Sequence, residues 1–441
     1  MIPQKIDIKL VIKAKGNNNQ DFIDSSFISI DINYNQKGFP FFADNLIRTS
    51  PTIIDLDNNG IDKQVIFGSD DKKLYSVNRL GELNWSFEAE RDIRSTPAFG
   101  DIDNDNNLEI VFGSMDSSLY ILNKNGTLKT SYQSKGKIIS SPVLFDFNNN
   151  QNLEIVFNVF DEYLHLIDNN GNDISPFPIN IGEPIYTSPA VSDIDNNGLY
   201  EIVITTWDGN LYVYDTDGNL KNNFPYSASN RISTSPILFD LTNNGYEEII
   251  FGADDKTLHV IDFNGSNIAK FEVEDKIQSS PIVYDINQDG KSEIIFGTND
   301  GKLFALNLIS DSLVIIDGWP VDFGNVSIKS SPVVHDLDGD SYPEVIIGLS
   351  DGKIFAINFL GLIYPGFPSY VSGPVERSFS IDDVDGDNDL EIAGVASSEL
   401  ILIDVKDVYG DGDFWKMERG GPFRQGVISE YLLSVNSKKK K

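Results

Sequence analysis

The sequence predicts an all-β fold made from eight copies of one four-stranded unit, and three observations lead to this prediction. First, a Ser-Pro or Thr-Pro dipeptide, with phenylalanine in place of proline in the last copy, recurs every 45 to 51 residues. Its second residue falls at Pro51, Pro97, Pro142, Pro189, Pro236, Pro281, Pro332 and Phe379. Second, each copy contains short apolar runs of strand length, separated by turn residues. Third, no helical period of comparable strength occurs. Four strands per period are typical of a β-propeller blade, so we expect eight blades, or seven if the end copies share one.

Every copy has the same internal order, which residues 330–358 show most completely. A short strand leads from Ser-Pro to an aspartate, an acidic turn follows, and the second strand is a nearly continuous apolar run such as EIVFG. Such a run predicts burial on both faces of the strand. A third strand comes after an Asp-containing turn, and a looser fourth strand leads to the next Ser-Pro.

Both ends of the chain lie outside the repeat. Apolar and polar residues alternate over residues 5–13 and 28–34, which predicts two strands with one apolar face each. Two strands alone are marginal in water, so we interpret residues 1–37 as a hairpin remnant of a β-sandwich domain, or else as a pair packed on the next domain's edge. The propeller is assigned to 38–425 and a C-terminal tail to 426–441. Within it, 38–44 is expected to close the ring as a fourth strand of the last blade, a place for which 414–422 competes.

Composition excludes several classes of partner. The 441 residues carry a formal net charge of −33, from 67 acidic and 34 basic residues. This charge disfavours nucleic acid and anionic membrane surfaces, and it suits a cation-binding protein. There are no cysteines, so disulfides and thiolate metal sites are excluded. No apolar run is long enough to span a bilayer, and the first residues lack the apolar core of a signal peptide.

The acidic turn between the first and second strands carries the candidate chemistry. Its fullest form places carboxylates at positions 1, 3, 5 and 9, with a backbone carbonyl available at position 7. Side chains at alternate positions of a tight loop can converge, and Ca²⁺ takes six to eight oxygen ligands. The candidate metal ligands in the five most complete turns are Asp101, Asp103, Asp105, Glu109, Asp193, Asp195, Asn197, Glu201, Asp285, Asn287, Asp289, Glu293, Asp336, Asp338, Asp340, Glu344, Asp383, Asp385, Asp387 and Glu391.

Three other turns are weaker candidates. Those that begin at Asp146 and Asp240 have fewer carboxylates, and the one at Asp55 has Gln64 where a glutamate is expected. Aspartate and asparagine also build ordinary hairpin turns, which would explain positions 1 and 5 without a metal. Hairpin chemistry does not explain an acidic residue at position 9 in seven of eight copies, directly before a buried strand. We therefore expect Ca²⁺ in at least one turn.

The repeated string S-P-x-x-x-D-φ-D-x-D-G-x-x-E-φ-φ-φ-G-x-x-D-G, where φ is apolar, resembles a known repeat. It is similar to the FG-GAP/VCBS repeat of bacterial surface proteins and of the integrin α-chain propeller, over residues 38–405. The resemblance implies a propeller with Ca²⁺ in its turns and a role in adhesion or recognition, secreted or at the cell surface. Gln64 and Thr242 depart from the pattern and put Ca²⁺ in doubt at their turns. Third strands such as LYSVN also resemble pyrroloquinoline-quinone-type propellers, which is a likeness of fold alone.

The sequence favours a binding module over an enzyme. His165, His259 and His335 stand where other copies have a large aromatic ring, and no nucleophile stands beside a base. The alternative is a catalytic or accessory propeller of a secreted enzyme, such as a polysaccharide lyase or peptidase.

A candidate ligand site lies on the face opposite the acidic turns. There the residue three before the Ser-Pro proline varies from copy to copy, and Phe160, Tyr186 and Trp207 fall on neighbouring blades. Clustered aromatic residues on a polar rim are typical of recognition sites, although rings that pack against adjacent loops would give the same pattern. We expect a monomeric module of a larger protein whose partner is an extracellular protein or glycan, with no nucleic acid and no membrane insertion.

Overall fold

The chain forms an eight-bladed β-propeller in a computed structural model that describes residues 4–15, 21–32, 35–60, 63–160, 162–405, 414–421 and 424–425. Each blade is an antiparallel sheet built on four strands, to which blade 6 adds a fifth, and the first strands of neighbouring blades approach each other around the central channel. The prediction of eight blades is therefore confirmed, and the alternative of seven is excluded.

The strands of blades 1 to 4 run outward from the channel in chain order. They are Thr52–Ile54, Gln64–Gly68, Lys73–Asn78 and Leu83–Glu88 in blade 1; Ala98–Gly100, Glu109–Gly113, Ser118–Asn123 and Leu128–Gln133 in blade 2; Val143–Phe145, Glu154–Val159, Tyr163–Ile167 and Ile179–Asn180 in blade 3; and Ala190–Ser192, Glu201–Thr205, Asn210–Asp215 and Tyr226–Ser227 in blade 4.

Blades 5 to 8 follow the same plan, with one addition. Their strands are Ile237–Phe239, Glu248–Gly252, Thr257–Ile261 and Asn267–Glu272 in blade 5; Ile282–Tyr284, Glu293–Gly297, Lys302–Ile309, Ser312–Ile315 and Val321–Asp322 in blade 6; Val333–His335, Glu344–Gly348, Lys353–Ile357 and Ser369–Tyr370 in blade 7; and Ser380–Asp382, Leu390–Ala396, Glu399–Val405 and Phe41–Phe42 in blade 8. The fifth strand of blade 6 accounts for the longest repeat spacing, because Lys302–Ile309 pairs with both of the strands that follow it.

The second strand of each blade forms the core. All of its residues are buried in blades 2 to 8, as the continuous apolar runs predict. The glycine that ends several of these strands allows close packing between blades. A Cβ atom at Gly113 would lie 2.1 Å from the Ile138 side chain, and one at Gly252 would lie 2.2 Å from that of Ile277.

Aromatic rings connect successive blades. In blade 2, the rings of Phe112 and Tyr120 stack with centroids 5.4 Å apart, and Phe87 of blade 1 meets Tyr120 edge-on at 5.2 Å. Such pairs contribute roughly 0.5–1.5 kcal/mol beyond the burial of their area. Equivalent contacts, made by Phe41, Tyr132, Tyr226, Phe271 and Phe323, join five further pairs of neighbouring blades.

The two ends of the propeller have different roles. Phe41–Phe42 pairs with Glu399–Val405 and closes the ring, which confirms the prediction for 38–44. The competing segment, 414–422, does not form a fourth strand. Its described residues lie along the innermost strands instead, because the backbone oxygens of Trp415 and Lys416 accept hydrogen bonds from blades 7 and 8.

Two buried arginines extend this C-terminal segment across the channel. The Arg419 guanidinium donates to the backbone oxygens of Pro236, at 2.9 Å, and of Pro189. Arg424 donates to the backbone oxygen of Pro97 at 3.1 Å. The segment therefore joins blades on opposite sides of the ring, and its arginines are satisfied by carbonyl groups.

The predicted N-terminal strands are present as an antiparallel pair, Gln4–Lys15 and Asp21–Ile32. Their origin in a β-sandwich stays a prediction, and the tail assigned to 426–441 lies outside the described residues. Within the described ranges, no helix has the length and apolar character needed to cross a membrane.

Candidate functional site

The first and fifth positions of each acidic turn shape the loop. In blade 2, the Asp101 carboxylate accepts from the backbone N–H groups of Asp105 and Asn106, at 2.9 and 2.8 Å. The Asp105 carboxylate accepts from the backbone N–H of Asn107 at 2.7 Å. These hydrogen bonds are those of ordinary aspartate turns, so the carboxylates at positions 1 and 5 stabilise the conformation of the loop itself.

The position-9 glutamate is different because it is buried at the start of the core strand. One oxygen, Oε2, accepts the backbone N–H of turn position 2 at 2.6 to 3.2 Å in all seven blades that have the glutamate. These glutamates are at most 4% exposed. The second oxygen, Oε1, therefore needs a partner inside the turn, and that partner differs among the blades.

Carboxylates converge in the same five turns for which the sequence suggests metal ligands. In each group, one oxygen per residue lies within 4.8 Å of the others. The groups are Asp101, Asp103 and Glu109; Asp193, Asp195 and Glu201; Asp285, Asp289 and Glu293; Asp336, Asp338 and Glu344; and Asp385, Asp387, Asp389 and Glu391.

The membership of these groups differs from the predicted ligand sets. Asp105, Asp340 and Asp383 are outside them and accept backbone N–H groups of their own turns instead, as the Asn197 amide oxygen also does. Asp389, at position 7 of the blade 8 turn, belongs to a group although only a backbone carbonyl is expected at that position.

In blades 2 and 4, a lysine ammonium lies between the carboxylates. Lys129 Nζ is 2.6 Å from Asp103 Oδ2 and 2.8 Å from Glu109 Oε1. Lys221 Nζ lies 2.8 Å from Asp195 Oδ2, and it is 2.9 Å from the blade 4 glutamate. These turns carry a built-in cation, so a metal ion does not fit there without displacing the lysine.

Blades 6 and 7 have carboxylate groups with no such lysine among the described residues. In blade 6, the Asn287 amide donates to Glu293 Oε1 at 3.1 Å. Burial, with added repulsion from neighbouring aspartates, raises the pKa of Glu293 to about 7 and that of Glu344, in blade 7, to about 8. Asn287 therefore lies beside the blade 6 group as a donor to the glutamate.

The blade 8 turn has the strongest need for a cation. Glu391 is fully buried, and its Oε1 has no hydrogen-bond donor among the described residues. The same is true of Asp385 Oδ1, although Gln36 donates to the other oxygen of this carboxylate. Burial, reinforced by Asp385 and Asp389, raises the pKa of Glu391 to about 8. Four carboxylates thus converge here, and the hard oxygen ligands match those that Ca²⁺ prefers.

The three weaker turns use neutral partners, and no carboxylate group forms at them in the described part of the chain. Asn148 donates to Glu154 Oε1 at 2.8 Å, and the Thr242 hydroxyl donates to Glu248 Oε1 at 3.1 Å. In blade 1, Gln64 accepts from a neighbouring serine hydroxyl. The two turns at which the sequence puts Ca²⁺ in doubt, those of Gln64 and Thr242, thus have neutral hydrogen-bond partners in the structure.

The histidines occupy aromatic positions, as expected. The pairs Phe157–His165, Phe251–His259 and Phe414–His335 have centroid distances of 4.8, 4.9 and 4.5 Å. Burial lowers the pKa of His165 and of His335 to about 4, so both are neutral at pH 7. Ring packing accounts for all three residues.

On the opposite face, the three candidate ligand-binding aromatics meet. Tyr186 contacts Phe160 edge-on at 4.7 Å and Trp207 at 4.4 Å between ring centroids. The Arg231 guanidinium lies 4.4 Å from the Trp207 ring centre. All three rings are half-buried, so they form one row over blades 3 and 4 that is partly open to solvent. Their role in ligand binding stays a prediction.

Comparison with known proteins shows the fold and leaves the family open. No protein-family model and no curated protein matches the chain. Solved structures do match. The V. cholerae biofilm matrix protein Bap1 is 12% identical, with a TM-score of 0.60 over 87% of this chain and 93% of that one. Sqt1 from Saccharomyces cerevisiae is 12% identical (TM-score 0.63; 84% and 99% covered), and BamB from Moraxella catarrhalis is 14% identical (TM-score 0.55; 81% and 97% covered). The FG-GAP/VCBS resemblance stays a prediction.

Proposed function

We propose that this chain is a calcium-binding β-propeller recognition module of a secreted or cell-surface protein. Bound Ca²⁺ stiffens the acidic-turn face, and the opposite face contacts a protein or glycan ligand without chemical conversion. Blades 6, 7 and 8 are the turns that take the ion, because lysines already neutralise blades 2 and 4.

The blade 8 turn carries the calcium proposal. Two of its buried carboxylate oxygens, Asp385 Oδ1 and Glu391 Oε1, have no donor among the described residues, and two further carboxylates lie within 4.8 Å. An unpaired buried carboxylate is costly, and a divalent cation would remove that cost. Carboxylates that supply oxygen without fixed octahedral geometry suit Ca²⁺ better than Mg²⁺.

Three observations support recognition as the role. Bap1, one of the structural neighbours, is a biofilm matrix protein, and the repeat string resembles that of adhesion proteins. The row formed by Phe160, Tyr186 and Trp207 provides an aromatic surface on the face away from the turns. Partly exposed aromatic surfaces are common at binding sites.

Calorimetric titration of metal-free protein with calcium tests the proposal. Glu391→Gln removes one ligand charge, and we expect the blade 8 site to weaken by about tenfold or more, which corresponds to 1.4 kcal/mol. The matched control is Glu248→Gln, which removes the equivalent glutamate of blade 5, where no carboxylate group forms. This control should leave calcium affinity within about twofold. Absence of calcium binding, or equal losses in both variants, would contradict the proposal.

A further inference from the structure

A cavity of about 460 Å³ opens at the mouth of the central channel, on the face away from the acidic turns. Its wall is formed by the variable residues three before each Ser-Pro proline, and its inner rim by hydroxyl residues just before that proline. The variable residues are Arg48, Arg94, Ile139, Tyr186, Ser233, Gln278, Lys329 and Glu376. The volume is that of a small-ligand site.

The segment before each Ser-Pro dipeptide positions these side chains in the cavity wall. In blade 2, Ile93 is buried between blades, Arg94 lines the cavity, and the hydroxyl of Thr96 accepts the backbone N–H of Ser50 at 3.1 Å. Equivalent bonds between hydroxyls and backbone N–H groups connect Ser141 to Ser188, Ser188 to Ser235, Ser235 to Ser280, and Ser378 to Ser50. The hydroxyl residues before the prolines, which we call the hydroxyl ring, are therefore held in place by backbone groups. The charge and polarity of the cavity are set by the variable residues.

One side of the cavity is cationic although the chain as a whole is strongly acidic. Arg94 forms two bonds to Asp70, at 2.8 and 3.2 Å, whereas Arg48 reaches Asp70 through Nε alone at 3.3 Å. Arg377 lines the same cavity and has neither a hydrogen bond nor an ion pair with any described residue. Burial lowers the pKa of Arg377, and the charges of Arg48 and Arg94 add to this effect against attraction from Glu418.

Two carboxylates also belong to the lining. Glu376 pairs with Lys329 at 2.8 Å, whereas Glu418 accepts from the Thr96 hydroxyl at 3.0 Å and attracts Arg377. The guanidinium groups left to bind an anion are those of Arg377 and the outer end of Arg48. A carboxylate can accept two parallel N–H bonds from one guanidinium group.

The other side of the cavity is neutral. Tyr186, the central ring of the aromatic row described above, lines this side together with Ser233 and Gln278. Aromatic faces and hydroxyl groups suit the ring and hydroxyls of a sugar.

We propose that this cavity binds an acidic saccharide of the uronate class. Its carboxylate would lie against Arg377 and Arg48, its hydroxyls would face the hydroxyl ring, and its ring would pack on Tyr186. The inference goes beyond calcium binding, and it names a ligand class for the recognition module proposed above, on which it rests.

Binding of three sugars, measured in constant calcium, tests this inference. The probes are glucuronate, its neutral counterpart glucose, and glucose 6-phosphate as a different anion. We expect glucuronate to bind about tenfold more tightly than glucose. Arg377→Gln should abolish this preference, and its melting temperature should stay close to that of the unaltered protein because Arg377 makes no bond in the fold. The control is Arg91→Gln, which removes the same charge at an exposed position outside the cavity lining and should keep the preference.

Several results would overturn the inference. They are equal affinity for glucuronate and glucose, stronger binding of glucose 6-phosphate, an unaltered preference in Arg377→Gln, or no binding of any probe at millimolar concentration. Since calcium is present throughout and folding is checked by melting, each of these results would leave the calcium proposal intact. Loss of calcium binding alone would likewise leave the sugar result standing.

Discussion

The position-9 glutamate occurs in three different environments within one chain. Lys129 and Lys221 pair with it in blades 2 and 4, and an amide or hydroxyl donates to it in blades 3 and 5. In blades 6, 7 and 8 it lies among other carboxylates with no lysine from the described residues. A buried carboxylate beside other carboxylates keeps its charge only when a cation is near. The third arrangement is therefore the one that calls for a metal ion.

Removal of a built-in lysine should make a turn depend on calcium. Lys129→Met leaves Asp103 and the buried Glu109 without their ammonium group, and we expect metal-free protein to lose about 2 kcal/mol of unfolding free energy. Calcium should restore most of this loss because it can occupy the vacated position. Denaturant unfolding with and without calcium measures both effects. The control, Lys72→Met, removes an exposed lysine and should have little effect in either condition. An equal loss with and without calcium would show that Lys129 acts through packing alone.

The lysines also show where residue-level prediction stops. Both stand third after a turn glycine, in GTLK and GNLK, so the pattern is present in the sequence. Whether the ammonium reaches the acidic turn depends on how the segment after the third strand crosses the blade, which spacing alone does not determine. Asp389 was missed for a different reason, because only a backbone carbonyl was expected at its position.

At the scale of elements, repeated features were predictable and single-copy features were not. The continuous apolar runs of the second strands predict that these strands are buried. Phe41–Phe42 resembles the fourth strands of other blades closely enough to predict that it closes the ring. The segment that contains Arg419 has no second copy for comparison. Its arginines donate to carbonyl groups of blades far away in sequence, and no local pattern encodes such partners.

The whole molecule is a ring with two chemically different faces. Acidic turns lie on one face, and three arginines surround a cavity on the other. The net charge of −33 is therefore unevenly distributed. Calcium on the first face would reduce self-repulsion, and the cationic cavity would attract an anion that the rest of the surface repels.

This charge distribution gives the metal-free protein an unusual pH dependence. The pKa values of Glu293, Glu344 and Glu391, at about 7, 8 and 8, are above the ordinary 4.5. The folded state then holds more protons than the unfolded state, so the stability that these groups contribute is present near pH 4.5 and is lost as pH rises through 7 to 8. We expect the melting temperature of metal-free protein to fall between pH 5.5 and 8.5, as calorimetry would measure. In saturating calcium the three glutamates stay ionised, and this fall should largely disappear. A fall of the same size in calcium would argue against ion binding at these turns.

The most direct test of cation binding is a crystal structure grown in millimolar calcium, with the ions located by their anomalous scattering. We expect an ion in the blade 8 turn, with oxygens of Asp385, Asp387 and Glu391 at about 2.3–2.6 Å, and lysine without an ion in blades 2 and 4. A blade 8 turn that stays empty at saturating calcium, with its carboxylates turned apart, would contradict the account.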